Sequence, residues 1–488
     1  MLSRLPAWAL LAPLAFSAAS AEAQILTIEA RMLTPLSSRH GEAPIEAVTI
    51  QPLIHEGRIL IPSHSALHGT IRRASAVGIG LRHERASLEI TFTDWKSPDG
   101  DTLPLEATPI SVDNAREQMD DKGRIQGILA ASNPLGIVRG LWYRPSAGML
   151  LRAPAGLSGS GTLWSKLALG PIGALGLLGA RLIGTRMPEP EIDLPIGTEM
   201  TLQLSSIEVG QRLDEVRPPA VLDANLMEFL QQQPLQVVEP DATPTADIIN
   251  IALIGSAELV KATFRSAGWV EADDLDRKSF GSSYKAFTQR QGYATAPVSK
   301  LYYEDRLPDF VFQKSLNSIA KRHHIRLWRI LTPDGQEGWL GAATHDITVV
   351  FDRKNFGLSH KVDPNIDLER LKVVSDLDFA AALAGIVYVP RTIPYTAGTE
   401  TDGAIAVAFL QEPAAFVEPA APERIRGSKL STLRKFARRM ILEARQHLLR
   451  ENAYYLTYSV GRKLILKLRT VDPLVLAQEG AAPNVAGE

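Results

Sequence analysis

The chain has 488 residues, enough for two or three domains and more than one core. Apolar residues make up 45% and charged residues 22%, the balance of a globular protein rather than of a disordered chain. A formal net charge of −2 gives the whole chain no claim on nucleic acid, and the lack of any cysteine excludes disulfides, a thiol nucleophile and a thiolate metal site.

The first residues carry a targeting pattern. Arg4 supplies a positive start, Leu5 to Phe16 is uncharged and mostly apolar, and Ala21-Glu22-Ala23 is an A-x-A cleavage site. Residues 1–23 therefore read as a secretory signal peptide, with the mature chain starting at Gln24 and exported to the periplasm or envelope of a bacterium. The apolar run is shorter than the ~20 residues needed to span a bilayer.

Residues 24–215 read as an all-β sandwich or barrel. ILTIEARML (25–33), EAVTIQPLI (46–54) and ASLEITFTDW (86–95) alternate or are β-branched, and Gly, Pro, Asn and Asp clusters separate them. RILIPSHSALHGTI (58–71) predicts two short strands around a Pro-Ser turn, which argues against joint metal binding by His64 and His68. One insertion, 165–185, breaks the pattern. It is uncharged from Leu167 to Ala180, with Gly170, Gly173, Gly176 and Gly179 at every third position. It suits a buried glycine-rich loop or helix, or a face that packs closely in lipid.

The motifs IPSHSALHG, the Gly/Ala-rich insertion and LPIGTEMTLQL (194–204) together resemble the C-terminal barrel of TrbI-type proteins over about residues 45–205. That resemblance implies a role near a secretion channel of the outer membrane. Ser63-His64 departs from it, because the family expects a glycine-containing turn there.

Residues 216–246, with five prolines and three consecutive glutamines, read as a linker with a possible short helix at 222–232. A second domain is expected over 247–405. The run Ile248–Ile254 reads as a buried strand; Ser256 is then a helix N-cap, with Glu258 in the first turn. Strand, small turn and helix begin an α/β or α+β layer. The ordered motifs IALIGSAELVKATFRSAGWVEAD, APVSKLYYEDRLPDFVFQK, RHHIRLW, GWLGAATHD and HKVDPNIDLER resemble the LssY-like C-terminal domain over about 247–385. The resemblance implies no particular reaction. In other members the domain can follow a lipid-phosphatase-like membrane region, in place of which this chain has the β domain.

Within that domain, KRHHIRLWRILTPDGQEGWLGAATHD (321–346) predicts a hairpin turning at Pro333-Asp334-Gly335. A three-residue loop with a bulge at Gly335 sets His323 opposite His345. A two-residue Asp-Gly loop instead sets His324 opposite His345 and Trp328 opposite Gly341. With His360, Asp346 and Asp363 nearby, His323, His324, His345 and His360 form a candidate imidazole–carboxylate site for zinc, manganese or iron, able to hydrolyse an ester or phosphoester. The competing expectation is structural. A helix over about 312–322 would be capped by the two histidines, and Asp363-Pro364-Asn365 would do turn work. No P-loop, dinucleotide fingerprint, H-E-x-x-H or G-x-S-x-G stands in the sequence, so no dinucleotide is expected.

Residues 406–423 read as an Ala/Pro linker, and 424–488 as a basic tail. Between 424 and 469 thirteen Lys or Arg face two acids, a net of +11 that leaves −13 for the rest. Leu430, Leu433, Ala437, Met440, Ala444 and Leu448 form an apolar stripe on a basic amphipathic helix. Such a helix suits an anionic membrane surface, an acidic envelope protein, or the acidic remainder of the same chain.

Overall fold

A computed structural model describes residues 26–78, 85–97, 100–129, 189–208, 214–215, 220–238, 247–272, 301–318, 320–352, 357–391, 399–414 and 432–445. The targeting segment 1–23, the glycine-rich insertion 165–185 and most of the basic tail lie outside these residues.

The N-terminal part is a closed antiparallel barrel. Around the ring run Ala66–Ser75, Pro44–Thr49, Thr27–Met32, Glu199–Ile207, Thr102–Val112 and Ser87–Lys96, and the last pairs again with Ala66–Ser75. Alternation builds its core. In Thr27–Met32 every second side chain is buried, placing Ile28, Ala30 and Met32 inside with Leu67, Phe92, Trp95 and Leu202. Closure needs Gly69, which lies at a register shift in the closing pair. A Cβ there would stand 2.2 Å from the Thr91 carbonyl oxygen.

The second sheet is mixed. Its order is Val270–Glu271, Phe310–Lys314, Arg322–Leu331, Glu337–Asp352, Ile251–Ile254, Ile405–Leu410 and Leu383–Val389, with Gly357–Val362 on the far half of Glu337–Asp352. Only Ile251–Ile254 and Ile405–Leu410 run parallel, joined through helices as parallel neighbours require. Helices Ala257–Ser266 and Ile366–Phe379 cover one face, their Phe264 and Val373 sharing a core with Phe312, Ile325 and Leu327 of the strands. Helix Ala224–Gln231 covers the other, where Leu226 and Leu230 meet Trp328, Ile330 and Leu340. This is an α+β layer. Ser256 caps its helix as expected, its Oγ accepting from Leu259 N at 3.2 Å.

Three expectations need correction. Residues 220–238 hold the short helix expected at 222–232 but are docked rather than linker: Asp223 caps helix Ala224–Gln231, and two buried leucines pack it on the sheet. Nor is 406–410 linker, because Ile405–Leu410 is an interior strand whose Ala406, Val407 and Ala408 are fully buried. No helix covers 312–322; Phe310–Lys314 and Arg322–Leu331 are paired strands. Phe310 and Phe312 both join the helix-covered core, a spacing of two that suits a strand.

The hairpin takes the three-residue loop. Thr332 N donates to Gln336 O at 3.0 Å, Gly335 N donates to Thr332 O at 2.8 Å, and Gly335 has φ +81°. His323 therefore pairs with His345, His324 with Thr344, and Trp328 with Leu340.

Candidate functional site

That register sorts the predicted site residues onto opposite faces of the sheet. Neighbouring residues of a strand point opposite ways. Ile325 and Leu327 pack against the helix pair, and His323 and His345 share their face. Trp328 and Ile330 pack on the other side, the side of Arg322, His324, Arg326 and Asp346. The six residues proposed from sequence thus do not converge on one point.

On the far side from the helix pair, Asp346 is the centre. Arg322 Nε donates to its Oδ2 at 2.7 Å, while His360 Nδ1 and His324 Nδ1 lie 3.3 and 3.6 Å from the same oxygen. Burial alone would raise the Asp346 carboxyl, but His324, His360 and Arg322 hold it below its ordinary range. Burial holds both histidines below theirs, with Arg322 adding to the effect; for His324 the displacement is large. His324 Nε2 and the Thr344 hydroxyl lie 2.8 Å apart. Asp363 is used in a turn: its Oδ1 accepts from Asn365 N at 3.0 Å, and Asn365 caps helix Ile366–Phe379.

On the helix side, His323 is held at both ring nitrogens. Nδ1 lies 2.6 Å from Glu369 Oε2, on helix Ile366–Phe379. Nε2 lies 2.6 Å from Oδ2 of Asp113, in the barrel. Burial alone would lower the imidazole, but the Asp113 and Glu369 carboxylates overcome it and push it up to about 10. His323 is thus an imidazolium between two carboxylates. The Asp113 carboxyl is held well below its ordinary range against burial, by His323 first and His345 second. The His345 ring stacks on His323 with centroids 4.4 Å apart. Burial first, and the His323 charge second, hold the His345 imidazole below its ordinary value. Its Nε2 is buried without a hydrogen-bond partner, 3.8 Å from Asp113 Oδ1.

Asp113 follows the end of strand Thr102–Val112, where its backbone N donates to Glu199 O. Glu199 opens the neighbouring strand and anchors a second knot. It meets Arg31 Nη2 at 2.8 Å, Lys314 Nζ at 2.7 Å and Lys372 Nζ at 2.6 Å. Asp376 meets the same lysines at 2.9 and 2.7 Å and accepts from Trp269 Nε1 at 2.9 Å. These cations keep both carboxylates ionised despite full burial. Arg31 and Glu199 come from the barrel; Lys314, Lys372 and Asp376 come from the second unit. His64 adds an apolar contact, its ring stacked 4.2 Å from Phe379 and its Nε2 2.9 Å from Phe379 O. His68 instead pairs with Asp94 at 2.7 Å, so the two histidines share no site. His64 has φ +65°, the left-handed conformation for which a glycine turn would be the ordinary choice.

Sequence reasoning missed Asp113, Glu369 and the Glu199–Asp376 knot. Asp113 sits 210 residues before His323 in a strand-to-turn step of no special composition. Glu369 had a usable signal, since Ile366, Glu369, Val373 and Asp376 recur at helical spacing on the buried face.

Residues 231–405 match the family model described as the LssY C-terminus. No curated protein matches the sequence. Among solved structures, one match is "Structure of ComB10 of the Com Type IV secretion system of Helicobacter pylori", at 11% identity, covering 39% of this chain and 94% of that one, with a TM-score of 0.20.

Proposed function

From an LssY C-terminal domain joined to a closed barrel, we propose an exported, non-enzymatic component of the bacterial cell envelope, associated with secretion or envelope assembly. The observation that carries the non-enzymatic reading is the state of His323. Both its ring nitrogens are engaged by carboxylates, one from each unit, so the imidazole best placed for chemistry serves to hold the barrel to the sheet. The targeting pattern of residues 1–23 supports export. No helix among the described residues is long and apolar enough to cross a membrane.

The basic segment 424–469 would bring this body to an anionic membrane surface or an acidic envelope protein. Within it, helix Thr432–Arg445 docks on the barrel through Arg438, whose guanidinium meets Glu189 at 2.8 Å and Glu191 at 3.0 Å, and through buried Leu442. Of the predicted stripe, Ala437 is exposed and Met440 half-buried. Phe436 and Ile441 are also exposed, and they could enter an interface while basic neighbours meet anionic headgroups. Two measurements test the reading. N-terminal sequencing of periplasmic protein should find Gln24 first. Flotation with anionic vesicles should retain the full mature chain and lose a chain ending at Glu423. Cytoplasmic retention with residues 1–23 intact would sink export; equal flotation would remove the tail.

A second reading, a metal-dependent ester or phosphoester hydrolase, is favoured by one observation, the unpartnered His345 Nε2 beside Asp113 and His323. Turnover of p-nitrophenyl phosphate or acetate by metal-loaded protein, lost in His345→Gln, would establish it.

A further inference from the structure

The geometry points to a divalent-metal site, suited to zinc, formed by Asp113, His323 and His345 across the seam between the barrel and the LssY domain. One ligand atom from each of the three residues lies within 4.8 Å of the others. Two imidazoles and one carboxylate are a hard-to-borderline donor set that zinc accepts, with a fourth position left for water. Three further features are those of a metal site rather than of an accidental cluster.

The first is His345 Nε2, a buried ring nitrogen with no hydrogen-bond partner, 3.8 Å from Asp113 Oδ1. A buried ring nitrogen left unpaired is costly, and a cation between it and Asp113 would satisfy both. The second is Glu369, which holds Nδ1 of His323 and so turns Nε2 towards Asp113. A carboxylate on the far nitrogen of a ligating histidine is the usual outer support of such sites. The third is charge. Asp113 and Glu369 bring two carboxylates within 2.6 Å of one imidazole, an excess of anionic groups that a divalent ion would offset. Of the lysines near Asp113, Lys372 is engaged by Glu199 and Asp376, and Lys321 also faces Glu117.

Loading asks for small movements. Ligand atoms of a tetrahedral zinc lie about 3.3 Å apart. The 2.6 Å contact between His323 and Asp113 must open, and the 3.8 Å contact between His345 and Asp113 must close. The His345 ring must also leave its stack. Its side chain is 20% exposed and that of Asp113 18%, so this edge of the seam is open to solvent and to an entering ion. The proton shared by His323 and Asp113 leaves to water as the metal takes its place. A purely structural zinc would leave the first functional reading intact; export and vesicle binding test that reading separately.

The test uses the full mature chain, stripped with chelator and returned to chelator-free buffer, and titrated calorimetrically with Zn²⁺ alone. One zinc per chain is expected, with net proton release seen by comparing buffers of different ionisation heat. His345→Gln and Asp113→Asn should each weaken binding at least about 100-fold, and Glu369→Gln about 10- to 100-fold. His360→Gln, on the opposite face, should bind as the parent does. No stoichiometric binding, or binding unchanged in His345→Gln, overturns the site. So does loss of binding in His360→Gln alone. If Asp113→Asn does not fold, His345→Gln, at the exposed edge, still decides.

Discussion

Asp113 and His323 stand 210 residues apart in the chain and 2.6 Å apart in the structure. One follows a barrel strand and the other lies near the start of a strand of the second sheet. Their pairing, continued to Glu369, makes the seam between two units a buried ionic contact. Interfaces of this kind are sensitive to the loss of one partner, because the remaining charge stays buried and uncompensated.

His323→Ala should therefore destabilise the chain by about 3–5 kcal/mol, leaving Asp113 and Glu369 facing each other without a cation. Urea unfolding reads this directly. A cycle with Asp113→Ala should give a coupling energy of about 0.5–3 kcal/mol, as for residues in one network. Strict additivity would mean that the contact contributes nothing.

The same histidine sets a pH dependence in metal-free protein. Its folded-state value is about 10, against an ordinary 6.5. A raised folded value favours the folded state fully below about pH 6.5, and that contribution is lost as pH rises through about 10. The difference in unfolding free energy between the parent and His323→Gln should thus shrink from about pH 7 to pH 10. The titratable groups that face this ring are Asp113, Glu369 and His345, with the Trp269 ring also against it. A difference independent of pH would show that His323 is not charged in the fold.

Asp376→Asn tests the second knot. Asp376 contacts Lys314, Lys372, Arg31 and Trp269 Nε1, and its side chain is fully buried. Its removal leaves three cations to Glu199 alone, at an expected cost of about 3–5 kcal/mol.

Gly69→Ala bears on barrel closure. The added Cβ would overlap the Thr91 carbonyl, a backbone atom of the closing strand that cannot rotate away. A cost of about 3 kcal/mol is expected, at the upper end for overpacking. Circular dichroism with thermal unfolding measures it, and an unchanged midpoint would mean that the ring closes elsewhere.

At His64 two substitutions separate strain from contact. Both His64→Ala and His64→Gly lose the stack on Phe379, but only glycine relieves φ +65°. His64→Gly should be the more stable of the two by about 1 kcal/mol. Equal stabilities would show that the left-handed turn stores no strain.

Much of the local structure was legible in the sequence, because it follows from periodicity and turn chemistry. The alternation in Thr27–Met32 and Ser87–Lys96 marks half-buried strands, and Ser256 before Leu259 marks a cap. Pro333-Asp334-Gly335 restricted the hairpin to two registers, of which the structure takes the one that sets His323 against His345. Two stretches misled. Prolines and glutamines around 216–246 hid the docking of a short helix that was itself expected, and the alanines after Ile405 hid an interior strand whose small side chains fit beneath helices.

The candidate site divides along the same line. The sequence by itself determined that His323 and His345 could meet across a turn, because strand pairing is a local consequence of the loop. Only the tertiary structure decided that His324, Asp346 and His360 lie on the other face, and that Asp113, Glu369 and Glu199 complete the seam. Ion pairs between distant strands leave no periodic trace. Any exposed aspartate at a strand end looks the same in sequence, and docking alone decides which one is buried against a histidine.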